Sequence, residues 1–359
     1  MKNYGVIIRK PKKTDYVAGL ETGILYSEVL PDGNWTSFLP SDESQYNSQF
    51  DTMACVSFSA INAIESQCNF LLSKISAENV AKLKQWGYIV NDMFNFSDRA
   101  IAKLSGTTHQ GNDLGSVIQS VRDYGLVPES MWPFPQSFNW DNYYAEIPQE
   151  VKDFGKHILE VFDIKYEWAI LDGWQKNQVP TIAAVLKQAP LQVAMPVCPG
   201  WGDKSPVPTC PSIQSQHATV LYNLDSSRLY DFDHYPPCRK LLDIDYPVLY
   251  GMKIVVSEKK APVAPEPFLH AFTVDIGFGT RHSEVKWLQK ALAYLKNPET
   301  GEPFFKLSYQ TDYYGFYTQQ AVLEFQVAYK LINWFQQITY KGKYCHRITR
   351  NKLNELLGG

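Results

Sequence analysis

The chain has 359 residues, of which 45% are hydrophobic and 20% charged, and its formal net charge is −3. A chain of this length and apolar content can bury a large core, and the length favours about two domains. The near-neutral charge balance gives no reason to expect nucleic acid or an anionic membrane surface as a partner.

The first 45 residues are predicted to be an amino-terminal extension of short extended pieces and turns, such as the turn at Pro31-Asp32-Gly33-Asn34. Met1 to Gly19 carries Lys and Arg but no apolar run long enough for a signal peptide. No stretch of the chain approaches the ~20 apolar residues of a membrane helix. We therefore expect a soluble protein without a recognisable amino-terminal export signal.

A helical region follows, because apolar residues recur at helical spacing between cap and stop signals. The first helix is predicted to begin at Cys55 and to continue to Cys68. Ser76 is an N-cap residue for the next helix, and Gly87 ends it. The predicted helices after Cys68 are Ala77 to Trp86, Ser97 to Gly106, Leu114 to Tyr124 and Ile182 to Lys187.

A sheet region comes next, since β-branched and aromatic residues alternate with turn signals. Its predicted strands are residues 191–197, 217–224, 228–232 and 250–256. A helical half followed by a sheet half predicts an α+β domain over residues 46–257. Repeated Pro with charge then predicts an extended linker over residues 258–271.

Residues 272–359 are predicted to form a small all-α domain of three helices. Apolar residues recur at helical spacing in three runs of this segment. These runs contain Val285, Leu288, Leu292 and Leu295, then Ala321, Val322, Phe325 and Ala328, and finally Thr349 to Leu357.

Four polar residues of the first domain are the parts of a cysteine nucleophile mechanism. Cys55 opens a helix, where the helix dipole and a neighbouring imidazolium lower the pKa of a thiol. His217 at the start of a strand can supply that imidazolium, and Asp233 can accept its other ring N–H. Gln49, six residues before Cys55, can donate to the developing oxyanion together with the Cys55 N–H.

Each of these residues also has a plainer interpretation. A single Cys in an apolar helix is most often a small buried hydrophobe. A His at the start of a strand is more often a hydrogen-bonded core residue than a catalyst. His234 is a rival to His217 in type, but its place beside Asp233 prevents the strand-to-strand arrangement that the pair requires.

In combination, the residues resemble the papain-like cysteine peptidases. Cys55-Val56-Ser57-Phe58-Ser59-Ala60 resembles the family's nucleophile helix, Cys-Trp-Ala-Phe-Ser-Ala, and Gln49 stands at the spacing of its oxyanion Gln. His217-Ala218-Thr219-Val220 resembles its catalytic His strand. Two further passages are similar to the family's landmarks, Leu114 to Phe134 and Ile182 to Val197.

This resemblance covers roughly residues 45–256 and implies a two-lobed fold with a helical lobe and a β-barrel-like lobe. It implies amide hydrolysis through a thioester without a cofactor, with Cys55 attacking and His217 acting as base and then acid. Asp233 would orient His217, and Gln49 would stabilise the oxyanion. The sequence departs from the family at Val56, where the family has Trp, and at Asp233, where it has Asn.

The carboxy-terminal segment resembles the small three-helix peptidoglycan-binding domain. The passage around Val285 matches the family's "Val-x-x-Leu-Gln-x-x-Leu", and Asp312 to Gln326 resembles its second motif. Thr318 is expected to cap the second helix. Tyr313, Tyr314 and Tyr317 are expected to line a glycan or stem-peptide groove, with simple packing of the loop as the alternative.

The remaining cysteines leave two interpretations open. Cys198 and Cys210 flank a Pro/Gly-rich loop, so a local disulfide and two free thiols are both open. A zinc site from these two and Cys238 lacks a CxxC knuckle, so we expect no metal.

The sequence therefore predicts a cysteine endopeptidase targeted to bacterial peptidoglycan. That pairing suggests an endolysin or virion-associated lysin, held in a phage virion or host cytoplasm and released to the wall. Two alternatives stay open. One is a non-catalytic wall-binding or virion structural protein on a peptidase fold, and the other is acyl transfer to an amine instead of water.

Overall fold

The computed structural model describes most of the chain. The described residues are 5–12, 15, 29–47, 50–135, 139–171, 178–201, 205–210, 216–259, 268, 270–307 and 310–358. They form two compact units, the first ending at Lys259 and the second containing residues 268 and 270–358. Residues 260–267 and 269 of the predicted linker lie outside the described residues.

The helices of the first unit lie mostly in its first half. They are α1 (Cys55–Leu71), α2 (Ala77–Gln85), α3 (Asp98–Leu104), α4 (Leu114–Tyr124), α5 (Trp140–Tyr143), α6 (Gln149–Phe154), α7 (Ile158–Val161) and α8 (Val179–Leu186). The Ser76 and Ser97 side chains accept hydrogen bonds from the backbone of the first turns of α2 and α3, as expected of N-caps. Gly125 follows α4 with a φ of 73°, a conformation that glycine adopts without strain.

The second half of this unit is an antiparallel sheet. A short hairpin, β1 (Ile89–Val90) and β2 (Met93–Phe94), precedes it in the chain. The strands of the large sheet are β3 (Phe162–Ile170), β4 (Leu191–Pro196), β5 (Gln216–Leu224), β6 (Arg228–Phe232), β7 (Arg239–Asp243) and β8 (Tyr250–Glu258). Their order across the sheet is β3-β8-β4-β5-β6-β7. A helical half followed by this sheet confirms the α+β class.

Two strands of the six-stranded sheet, β3 and β7, were not predicted from the sequence. In β3 the charged residues Asp163, Lys165 and Glu167 interrupt the apolar run, although strand alternation turns the first two toward partly exposed positions. Strand β7 is short and begins with two basic residues, Arg239 and Lys240. Neither segment has the continuous β-branched and aromatic content of the strands that were predicted.

Helix α1 is fixed to the sheet by two buried glutamines. The Gln67 amide donates to Ile254 O at 2.8 Å and accepts from Val256 N at 3.0 Å, both on β8. Gln192 on β4 donates to Val56 O at 3.0 Å, at the other end of the helix. Because these bonds tie both ends of α1 to named strands, they set the position of its first residue, Cys55.

Residues 29–47 belong to the first unit and are not a separate extension. Trp35 is fully buried, and its Nε1 donates to Leu186 O at 2.7 Å. Its backbone N–H donates to Tyr222 O on β5 at 2.9 Å. The boundary predicted at residue 46 therefore does not divide the compact unit.

The second unit contains the three predicted helices and one more. They are α9 (Ser283–Tyr294), α10 (Phe316–Ala328), α11 (Trp334–Tyr340) and α12 (Arg347–Leu357), and two short strands, β9 (Ile276–Gly277) and β10 (Tyr344–Cys345), pair with each other. Helix α11 is the one that the three apolar runs did not predict. The Asn333–Gln336 capping box explains why a short helix forms there.

Two expectations for this unit are wrong. Thr318 does not cap α10, which begins at Phe316 after Gly315; Thr318 lies inside the helix, where its hydroxyl accepts from Gln289. Tyr314 is not exposed, because its ring is fully buried and its hydroxyl donates to Gly342 O at 2.8 Å. An inward tyrosine whose hydroxyl reaches a carbonyl is a core residue.

Candidate active site

Cys55 is the first residue of α1 and is fully buried. Ala54 before it offers no side-chain cap. The first N–H groups of a helix have no intrahelical partner, and the helix dipole places partial positive charge there. A thiolate at this position is therefore stabilised by the backbone itself.

His217 on β5 lies against this helix start. Its Nε2 is 2.6 Å from Asp233 Oδ1, and both side chains are fully buried. A side-chain hydrogen bond and a charge interaction also connect His217 with Cys55. Since Nε2 is taken by Asp233, Nδ1 is the ring nitrogen left to face the thiol. The three predicted residues thus form one line, from thiol to imidazole to carboxylate.

Asp233 follows β6, and both of its oxygens are occupied. Oδ1 accepts from the His234 backbone N–H at 2.6 Å as well as from His217. Oδ2 accepts from Trp201 Nε1 and from Lys240 Nζ, each at 2.8 Å. A buried carboxylate that receives this many bonds is held in one orientation, which fixes the ring of His217 in turn.

The charges of the line stabilise one another. Burial lowers the pKa of His217, but the charges and hydrogen bonds of Asp233 and Cys55 outweigh burial and raise it to about 10. Burial raises the pKa of Asp233, but His217 and Lys240 outweigh it and hold that pKa below its usual value. At neutral pH the imidazole is therefore an imidazolium and the carboxyl a carboxylate.

His234 has a different role from His217. Its Nδ1 lies 3.0 Å from Glu43 O in the segment before α1, and its Nε2 lies 2.7 Å from Asn62 Nδ2 on α1, so both ring nitrogens are used in packing. Burial lowers the pKa of His234 to about 4. It is therefore a neutral core residue.

Gln49, the predicted oxyanion donor, lies outside the described residues. The neighbouring residues form a polar group that the sequence did not predict. Gln45 Nε2 donates to Tyr235 OH at 3.0 Å and to Asp51 Oδ1 at 3.2 Å, and Tyr235 OH donates to Asp51. The ring of Tyr235 packs edge-on against His217, with ring centroids 5.1 Å apart. These contacts fix the segment just before Cys55 against His217.

The chain resembles several solved structures. Bromelain from Ananas comosus, in complex with the inhibitor E64, is 14% identical over 62% of this chain and 97% of its own, with a TM-score of 0.41. Xylellain from Xylella fastidiosa is 14% identical over 70% of this chain and 95% of its own, at 0.44. Procathepsin B S9 from Trypanosoma congolense is 11% identical over 71% of this chain and 86% of its own, also with a TM-score of 0.44.

These three are papain-like cysteine proteases. No protein-family model and no curated protein matches the sequence. Identities and TM-scores this low transfer no residue role. The roles of Cys55, His217 and Asp233 depend on their own contacts in this chain.

Lys240 and Trp201 are the site residues that sequence analysis missed. Lys240 follows Arg239 at the start of a strand, a pattern that is typical of exposed charged residues. Trp201 lies in the loop between Cys198 and Cys210, which form a disulfide with their Cα atoms 5.6 Å apart. No spacing rule connects either residue to Asp233, so only the folded chain brings them together.

The described residues contain no group of three or more His, Cys, Asp or Glu side chains arranged to hold a metal ion. Within the same part of the chain, no helix has the length and apolar content needed to cross a bilayer. Cys238, the third cysteine of the zinc alternative, is a half-buried free thiol.

A second buried cluster of carboxyl groups lies beside α1, away from the thiol. Glu65 on this helix accepts from Phe96 N at 2.7 Å, and Asp98 shares a side-chain hydrogen bond with Glu43. Burial, and after it the charge of Glu43, raise the pKa of Glu65 and of Asp98 well above the usual values. The same two causes raise the pKa of Glu129 to about 8. This cluster therefore holds protons at neutral pH.

Proposed function

We propose that this protein is a papain-type cysteine peptidase that hydrolyses peptide bonds through a thioester. The observation that carries the proposal is the buried line from Cys55 through His217 to Asp233, with the thiol at the start of α1. A thiol, an imidazole that faces it and a carboxylate that fixes the imidazole are the components of nucleophilic acyl transfer.

The reaction follows from these contacts. The Cys55 thiolate attacks the carbonyl carbon of the scissile amide, and the new oxyanion lies near the first-turn N–H groups of α1. His217 donates its proton to the leaving nitrogen as the C–N bond breaks, which leaves a thioester on Cys55. Water then attacks the thioester while His217 accepts its proton, and the acid product leaves as the C–S bond breaks, which restores the Cys55 thiolate and the His217 imidazolium. Gln49 as a second oxyanion donor stays a prediction.

One observation favours the non-catalytic alternative. The Cys55 side chain has no exposed surface, whereas a nucleophile must meet its substrate. The epoxide E64, which the solved bromelain structure contains, is a probe for this difference. Stoichiometric labelling of Cys55 that disappears in His217→Ala supports the peptidase. A folded wild type that stays unlabelled supports a binding protein on a peptidase fold.

We further propose that the second unit directs the enzyme to bacterial cell wall. An open cavity of about 470 Å³ in this unit is lined by residues of α10, α11, β10 and α12, including Gln336, Tyr340, Tyr344 and Arg347. Its volume suits a small ligand. Two tyrosines can pack against sugar rings, and Arg347 at the start of α12, where no side chain caps the helix, suits a carboxylate.

A weak wall-binding module raises the local substrate concentration of a tethered peptidase. The test of wall hydrolysis is the release of new amino groups from purified sacculi by wild type and by Cys55→Ala. Release by the wild type alone supports it. Equal release by the two proteins, or none by a wild type that cleaves soluble peptides, would reject the wall substrate. Adding an amine and weighing the products separates hydrolysis from acyl transfer.

A further inference from the structure

Lys240 is the buried counter-ion of Asp233. Its side chain is almost fully buried, and all three directions of the ammonium group are used: Nζ donates to Asp233 Oδ2 at 2.8 Å, to Pro237 O at 2.7 Å and to Tyr235 O. A buried ammonium with one carboxylate and two carbonyls as acceptors is fully satisfied. Lysine is rarely buried to this extent without such partners.

The position of Lys240 follows from the β6–β7 hairpin. The Asp233 N–H donates to Cys238 O at 2.7 Å, which closes the turn between the two strands. Lys240 then lies on β7 directly opposite Asp231 on β6. One hairpin therefore presents both the carboxylate and its counter-ion, and their separation is set by strand register.

The net charge of the pair explains why a carboxylate can stand where the peptidase resemblance leads us to expect an amide. An Asn side chain would accept from His217 with no charge, whereas Asp233 alone would add a full negative charge to a buried site. Lys240 cancels that charge, because −1 and +1 sum to zero. The imidazolium and thiolate then face a carboxylate whose charge is balanced by a neighbouring cation, so that the Asp233–Lys240 pair as a whole has no net charge, as Asn would.

We propose that Lys240 is a positioning residue that makes Asp233 the charge-neutral equivalent of an amide, and so sets the pH range in which the Cys55–His217 pair is an ion pair. This inference rests on the proposed peptidase function. Removing the positive charge should make the site hold its protons to higher pH. Removing the negative charge should have the opposite effect, and removing both should restore the wild-type range.

The experiment is the pH dependence of Cys55 alkylation by iodoacetamide in the full-length protein, followed by peptide mass spectrometry. It needs no substrate, and the mass of each peptide separates Cys55 from the half-buried Cys238. We expect the profile to move up by about one pH unit in Lys240→Met and down by a similar amount in Asp233→Asn. The double variant should lie close to wild type.

Other titratable groups around Asp233 require a control. The charge of Asp233 interacts with His217 on β5, with His234, Tyr235 and Cys238 of the hairpin turn and with Asp231 on β6, while Cys55 interacts with His217. Burial, with the charge of Asp233, raises the pKa of Asp231 to about 7, inside the measured range. The four proteins are therefore compared again in an Asp231→Asn background, where the same opposite shifts are expected.

A matched structural control exists on the same sheet. Lys253 on β8 and Glu167 on β3 form another buried ion pair, in which Lys253 also donates to Gln188. Lys253→Met leaves a buried carboxylate unpaired, as Lys240→Met does, but its strand β8 is two strands away from β5, which carries His217. Similar urea midpoints with a shifted profile only for Lys240→Met would show a specific effect.

The outcomes separate the two proposals. Unchanged profiles in both single variants, or a double variant no closer to wild type than the singles, would overturn the role of Lys240. If Lys240→Met does not fold, the comparison of Asp233→Asn with the double variant carries the same test. A wild-type profile that His217→Ala leaves unaltered would instead reject the ion pair and the peptidase function.

Discussion

His217 Nε2 lies 2.6 Å from Asp233 Oδ1 in a part of the fold that excludes water. Asp233 and Cys55 together outweigh burial and raise the pKa of His217 to about 10. We therefore expect kcat/KM to stay high through the neutral range and to fall only as His217 loses its proton near pH 10. A pH–rate profile measures where kcat/KM falls at high pH. A fall near pH 6–7 would contradict the raised pKa of His217.

The two buried histidines should behave oppositely on substitution. His234→Phe leaves Asn62 Nδ2 and Glu43 O without their partner, so we expect a loss of about 1–3 kcal/mol in the free energy of unfolding. The labelling rate of Cys55 should change little, whereas His217→Ala should abolish activated labelling. Loss of labelling in a folded His234→Phe variant would argue against the assignment.

The pH dependence of stability gives a second readout of His234. Burial lowers its pKa to about 4 from 6.5, so the folded state resists the proton that the unfolded state accepts. This contribution is present above pH 6.5 and is lost as the pH falls toward 4. The wild type should therefore lose stability on acidification relative to His234→Phe, as measured by urea unfolding at several pH values.

The carboxyl cluster beside α1 predicts the opposite sign. The pKa of Glu129 is raised to about 8, so its contribution is present below pH 4.5 and is lost as the pH rises through 8. Relative to Glu129→Gln, the wild type should lose unfolding free energy steadily between these pH values, by at most about 1.4 kcal/mol for each pH unit. Glu150→Gln, on the exposed face of α6, is the control and should show no such trend.

The disulfide should stabilise the loop that carries Trp201. Cys198 and Cys210 are separated by 12 residues, and closing a loop of this size is worth about 3 kcal/mol in the chain-entropy model. We expect Cys198→Ala/Cys210→Ala to lose roughly that amount in urea unfolding, and to slow Cys55 labelling by loosening the Trp201 bond to Asp233. Unchanged stability would show that the loop is held by its packing alone.

The cavity of the second unit makes a prediction about wall binding. Tyr344→Ala removes an aromatic wall of this cavity, and Tyr317→Ala removes a tyrosine that packs against the core of the unit. We expect the first to weaken co-sedimentation with sacculi by about tenfold, on the scale of one lost aromatic contact. The second should lower stability without a specific loss of binding. If Tyr317→Ala weakens binding and Tyr344→Ala does not, the wall-binding site lies at the tyrosines predicted from the sequence.

The features that could be predicted from the sequence are those that depend on local chemistry. The start of α1 at Cys55, the caps Ser76 and Ser97 and the strand that carries His217 all follow from residues within a few positions of one another. The α+β order and the three helices of the second unit follow from apolar periodicity. Such signals survive in a single sequence because short-range sterics and hydrogen bonding produce them.

Contacts between groups far apart in the chain could not be predicted from the sequence. Lys240 is paired with Asp233 because the register of the β6–β7 hairpin places them together, and Trp201 reaches the same carboxylate from a separate loop. Tyr314 was expected to be exposed in a loop, yet it is fully buried in the fold. Contacts between segments far apart in the chain depend on how the whole chain packs, and they cannot be predicted from the residue types alone.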